Sequence, residues 1–193
     1  MIKICVVGEI GSGKTYLSKL FSPKKNLIFN ADIEVNKIYK QHRPTFTKLK
    51  KKLPLFIKSF PVKKSELYNS ICFNKNNLKK IIEIVHPEVR KKMNSFLKKN
   101  NKQKFVILDV PLLLENKLNK PEDVIVYIDA KKKTLQKFLK RRSGHNPKII
   151  KLLKELQFTP EKKKISSDII INNNFNPKKM RLRAKELIDS III

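Results

Sequence analysis

The chain predicts an α/β fold, a three-layer sandwich built on a five-stranded parallel sheet, and three observations carry that expectation. Five short apolar, β-branched runs are mostly continuous rather than alternating, as strands buried on both faces read. Helical patterns separate these runs, and alternation of strand with helix implies parallel pairing. Three of the four glycines, Gly8, Gly11 and Gly13, fall within six residues directly after the first run.

In chain order, the predicted strands are Ile2–Val7, Leu27–Asn30, Phe105–Leu108, Val124–Ile128 and Ile169–Ile171. A helix opens at Thr15 and runs to Phe21. Leu78–Val85 and Pro87–Leu97 read as two helices split at Pro87, because proline removes a backbone donor and crowds the preceding turn. Lys131–Arg142 places Leu135, Phe138 and Leu139 on one face, and Lys178–Ile188 closes the chain. The stretch between the second and third strands is too long for an ordinary connection and reads as a mostly helical insertion. A shorter, very basic stretch runs from Lys140 to Lys164.

Composition excludes several classes. The 193 residues hold 45 Lys+Arg and 16 Asp+Glu, a formal charge of +29. The cations are 39 Lys and only 6 Arg, beside 24 Ile and 17 Asn. Lys, Asn and Ile are residues of A/T-rich codons, and Arg, the residue suited to base readout, is scarce. The charge therefore does not by itself call for a specific nucleic-acid partner. No run approaches the roughly 18 apolar residues of a membrane span. The N-terminus leads into a glycine loop instead of a cleavage site, so no signal peptide is expected. Cys5 and Cys72 give neither a disulfide framework nor metal spacing, and His42, His86 and His145 lie far apart. A cytoplasmic, monomeric protein is the expectation.

The glycine cluster is Gly8-Glu9-Ile10-Gly11-Ser12-Gly13-Lys14-Thr15, a complete G-x-x-x-x-G-K-[ST] between a predicted strand and a predicted helix. Such a loop turns successive N–H groups and a helix N-terminus toward phosphate oxygens. This makes the fold a P-loop NTPase and the ligand a nucleoside triphosphate, with Gly8, Gly11, Ser12, Gly13, Lys14, Thr15 and Tyr16 around it. Lys14 reaches the β/γ-phosphates and the Thr15 hydroxyl binds Mg²⁺.

The six aspartates are informative because acids are few. Asp32, Asp109 and Asp129 each stand at or just past the end of an apolar run, where ligands collect in open parallel sheets. Asp109 has the pattern of an acid that holds Mg²⁺, or else caps the turn that Pro111 follows. Asp32 is the candidate base orienting an acceptor hydroxyl, or else the N-cap of a helix over Ile33–Tyr39. Asp129 is assigned to capping the helix that follows.

At this point the sequence resembles the dephospho-CoA kinases. The resemblance spans nearly the whole chain: Gly8–Thr15, Ala31-Asp32, His86-Pro87, Leu108–Asn116 (LDVPLLLEN), Arg142, Gln157 and Ser167–Asn173 (SDIIINN). It implies transfer of the ATP γ-phosphate to the ribose 3′-hydroxyl of dephospho-CoA with Mg²⁺. It also implies a nucleotide core (residues 1–34, 104–139 and 165–193), a helical substrate-binding insertion (35–103) and a lid (140–164). Asp32 matches the family's proposed base, Arg142 a lid arginine on the transferring phosphate, and Asn172 and Asn173 an adenine-binding loop. The chain departs from the family pattern at Glu9, Asn30, Lys63-Lys64 and Phe138. Two other readings stay open on residues alone: a P-loop kinase for another small alcohol or nucleotide, and a nucleic-acid-associated ATPase. A GTPase is not favoured: the nearest guanine signature, Asn119-Lys120-Pro121-Glu122-Asp123, has the wrong acid spacing at Glu122 and precedes a strand instead of following one.

Overall fold

A computed structural model of the chain describes residues 1–22, 24–141 and 146–192. In chain order its elements are β1 (Ile2–Gly8), α1 (Lys14–Phe21), β2 (Ile28–Asn30), α2 (Ala31–Gln41), α3 (Arg43–Lys52), α4 (Lys64–Phe73), α5 (Asn76–Lys99), β3 (Phe105–Asp109), β4 (Val124–Ala130), α6 (Lys132–Arg141), α7 (Pro147–Glu155), α8 (Pro160–Ile165), β5 (Ile169–Asn173) and α9 (Pro177–Ile192). The chain forms two compact units. One comprises Met1–Asn30, Leu97–His145 and Leu153–Ile193; the other comprises Ala31–Phe96 and Asn146–Leu152.

The first unit holds one sheet of five strands in the order β2-β3-β1-β4-β5, and every pairing is parallel. The continuous apolar runs are explained by this order. β1 is central and buried on both faces from Ile4 to Val7. On one face Ile4, Val6, Ile107, Val126, Ile128 and Ile171 pack with Leu17 and Phe21 of α1 and with Met180 and Ala184 of α9. α8 packs against β1 and β4, so helices cover both faces. β5 is an edge strand, and its burial alternates, with Ile170 about half exposed at 49%. It also extends two residues beyond the expected Ile171, because Asn172 and Asn173 continue the register opposite Asp129 and Ala130.

The second unit is helical throughout its described elements. Its buried apolar residues include Ile38, Leu49, Ile57, Leu67, Ile81 and Val85. A turn before α4 is tied down by Glu66, whose Oε1 accepts from the Ser59 N–H and hydroxyl, both at 3.0 Å. The expected break at Pro87 is corrected: α5 is one helix through the proline. An interior proline costs about 3 kcal/mol. Leu78, Ile81, Val85, Val89 and Met93 nevertheless keep one helical stripe across it, all buried. Five such side chains at about 1.5–3 kcal/mol each outweigh that cost. Helix ends elsewhere shift by one to four residues from expectation.

Candidate active site

The parallel register brings the carboxyl ends of the strands to one edge. Asn30 stands opposite Asp109, Gly8 opposite Ile128, and Asn173 opposite Ala130. The loop from Gly8 to Thr15 leaves β1 on that edge and turns directly into α1. Gly13 occupies the N-cap with φ 99°, in the left-handed region that favours glycine. The Ser12 N–H donates to the Glu9 carbonyl at 3.1 Å, and the Leu17 N–H closes the first helical turn on Gly13 O at 3.0 Å.

The loop is seated from both sides. A Cβ on Gly11, at φ 85°, would stand 3.1 Å from Leu139 Cδ2 of α6. A Cβ on Gly13 would stand 2.7 Å from Asn173 Nδ2. That amide donates to the Ser12 carbonyl at 2.8 Å, while its Oδ1 accepts from the Phe175 N–H at 2.7 Å. Asn173 is buried. Both ends of its amide are thus engaged in joining the phosphate loop to the turn after β5. The Asn172 side chain is exposed, and its carbonyl accepts from Arg183 Nη1 at 2.8 Å.

Three groups meet at the end of β3. Asp109 is buried at 3% exposure, and its Oδ2 accepts from Thr15 Oγ1 at 2.7 Å and from Asn30 Nδ2 at 2.5 Å. An acid in place of Asn30 would set two like charges in contact; the amide instead supplies a donor. Sequence reading noted Asn30 only as a departure and missed this role. Lys14 Nζ donates to the carbonyls of Gly8 and Glu9, at 3.1 and 2.9 Å. Tyr16 lies partly exposed on the first turn of α1.

The remaining candidates are placed as follows. Asp32 lies in the first turn of α2, exposed to solvent; because the helix begins at Ala31, Asp32 is inside it and is not its N-cap. Asp129 is also not a cap. It lies within β4 and pairs with Lys164 Nζ at 2.7 Å, the residue before α6 being Lys131. Arg142 lies outside the described residues. His86 sits within the unbroken α5, and burial, then the neighbouring Arg90, hold its imidazole below the ordinary histidine range. A further pair escaped the sequence: Glu115 Oε1 lies 3.2 Å from Lys163 Nζ, with side-chain exposures of 9% and 3%.

Thr15 and Asp109 suit a hard divalent cation. They offer a hydroxyl and a carboxylate at one spot, and Mg²⁺ in phosphate sites typically takes only one or two protein oxygens beside those of the substrate. Among the described residues no group of three or more His, Cys, Asp or Glu is arranged to hold a metal by itself. Also among them, no helix is long and apolar enough to cross a membrane.

The chain is similar to known proteins over nearly its whole length. The family model for dephospho-CoA kinase matches residues 2–178. A dephospho-CoA kinase of Wolbachia pipientis is 27% identical over 190 residues, covering 97% of each chain. One from Bartonella henselae is 28% identical over 191 residues, covering 98% of this chain and 97% of its own. Among solved structures, a Thermus thermophilus protein superposes with a TM-score of 0.79 at 20% identity, covering 100% of this chain and 98% of its own. The dephospho-CoA kinase from Campylobacter jejuni gives 0.64 at 20% identity, covering 98% and 96%. At that identity the two structures speak for the fold.

Proposed function

The chain belongs to the dephospho-CoA kinase family, and on that premise we propose that it moves the γ-phosphoryl group of ATP to the ribose 3′-hydroxyl of dephospho-CoA, giving coenzyme A and ADP. The observation that carries the chemistry is the meeting of Thr15 with Asp109 beneath a phosphate loop whose glycines are sterically required. The Ser12 hydroxyl is buried without a protein partner among the described residues, the kind of orphaned group that a phosphate oxygen satisfies.

Phosphoryl transfer passes through a loose transition state, so the protein's work is positioning and neutralising charge. The backbone N–H groups of the loop and the N-terminus of α1 hold the phosphates. Lys14 exchanges its carbonyl contacts for phosphate oxygens. Thr15 and Asp109 hold Mg²⁺, which neutralises charge on the phosphates when bound. Asp32 accepts the proton of the 3′-hydroxyl as the new P–O bond forms and the bond to ADP breaks. Arg142, in the lid of residues 140–164, neutralises the transferring group and excludes water. Residues 35–103 bind the acceptor, and residues 1–34, 104–139 and 165–193 form the nucleotide core. Asn173 supports the adenine loop from beneath and Asn172 edges it. The enzyme works as a cytoplasmic monomer without a specific nucleic-acid partner.

The test is a coupled ADP-release assay with dephospho-CoA, with coenzyme A identified as product. Absence of conversion by folded protein refutes the reading, and a panel of nucleoside and small-alcohol acceptors then identifies the alternative. Asp32→Asn lowers kcat by about two to four powers of ten, the range of a general base, while ATP binding is retained. A near-wild-type rate removes Asp32 from that role.

A further inference from the structure

Behind the phosphate loop a crevice is lined by Gly8, Lys14, Val110, Leu113, Glu115 and Lys163, among others. Lys14, Lys163 and Glu115, two cations and one carboxylate, therefore line one small crevice next to the phosphate loop. Glu115 is firmly held there. Its Oε1 accepts from the Phe158 N–H at 2.8 Å as well as pairing with Lys163. The turn that carries it is closed by Asn116, whose side-chain amide and backbone N–H both donate to Leu112 O, at 2.8 and 3.0 Å. Lys163 is equally fixed, on α8 against β1 and β4.

A buried ion pair is weak evidence of stability, since an apolar pair of equal volume serves as well. Its place in this crevice gives it another consequence. A fixed, buried carboxylate without its cation attracts the nearest other cation, and the interaction is strong where water is excluded. On the walls of this crevice that cation is Lys14, the residue needed by the phosphates.

We propose that Lys163 is a positioning residue for nucleotide binding: by neutralising Glu115 in the crevice that Lys14 also lines, it keeps the Lys14 ammonium directed at phosphate. Lys163 itself touches no substrate in this role. The inference rests on the reading that Lys14 meets the phosphates of ATP.

The experiment is ATP affinity by titration calorimetry on three full-length variants, needing no acceptor. Lys163→Met strands the carboxylate and weakens ATP binding roughly tenfold or more. Glu115→Gln keeps an acceptor for the Phe158 N–H, removes the competing charge and binds ATP at least as tightly as wild type. The double variant Lys163→Met/Glu115→Gln returns affinity to within about threefold of wild type. That recovery is the signature, because a pair that merely holds the fold gives a double variant no better than Lys163→Met. Unchanged affinity in Lys163→Met, or no recovery in the double variant, overturns the proposal. So does a tenfold loss in Glu115→Gln, which decides the matter even where Lys163→Met does not fold. If wild-type protein binds no ATP, the nucleotide reading itself falls; normal wild-type binding with any of the three contrary results sinks only the role of Lys163.

Discussion

Gly13→Ala tests the seating of the phosphate loop. Two separate costs follow from the geometry. The backbone there has φ 99°, a conformation that costs a residue with a Cβ about 1–2 kcal/mol. The new methyl group would stand 2.7 Å from Asn173 Nδ2, so the amide must move and release its 2.8 Å bond to Ser12 O. Loss of a buried hydrogen bond costs about 1–3 kcal/mol. Together these give about 2–5 kcal/mol, or a fall in Tm of roughly 4–20 °C for a chain of this size. Denaturant unfolding of wild type, Gly13→Ala, Asn173→Ala and the double variant separates the two costs. The bond to Ser12 is lost only once, and in the double variant the methyl group meets no amide. The double variant is therefore more stable than the sum of single losses implies, by about 1–2 kcal/mol. Additive losses, or a Gly13→Ala protein as stable as wild type, would refute the idea that Asn173 and Gly13 are fitted to one another.

Asp109→Asn retains an oxygen for the Thr15 hydroxyl but loses the charge, so the fold survives while Mg²⁺-dependent transfer falls by about two to three powers of ten in the ADP-release assay. Burial pushes the Cys5 thiol up to about 12, with the Asp123 charge adding to the effect, whereas Cys72 is exposed. Iodoacetamide at pH 8 therefore adds one label to the native protein, at Cys72, as read by intact mass; a second adduct without denaturant contradicts the packing of β1. His86 is held below its ordinary 6.5 by burial and by Arg90, so the unfolded chain takes the proton first as pH falls. Its contribution to stability is complete above that pH and is lost progressively below it. His86→Gln should flatten the decline of Tm between pH 7 and pH 5, and an unaltered slope removes His86 as its source.

The sheet was legible because its determinants are local. Each strand is a continuous apolar run, and the phosphate loop is a set of glycines whose spacing is itself the signal. Local reading failed where a local rule met a longer pattern. Pro87 by itself ends a helix; the stripe from Leu78 to Met93, counted across it, does not. Asp129 read as a cap, and Asp32 as a base or else a cap, because an acid near a helix start is often a cap. The register of β4 carries Asp129 into the strand, and α2 starts one residue before Asp32.

The parts of the site that stayed hidden share a different property: their partners are far apart in sequence. Asn173 meets Ser12 across 161 residues, Asn30 meets Asp109 across 79, and Phe158 meets Glu115 across 43. Nothing in an Asn-rich chain marks two of its 17 asparagines as structural. The parallel sheet marks them, because it aligns the carboxyl ends of strands in an order unlike that of the sequence. It follows that the residue types at this edge are chosen as contact pairs. Asn30 is an amide because Asp109 is an acid, and Gly13 lacks a side chain because Asn173 has one. Substitution at either member is therefore read correctly only with its partner varied too, which is why the decisive measurements above are double variants.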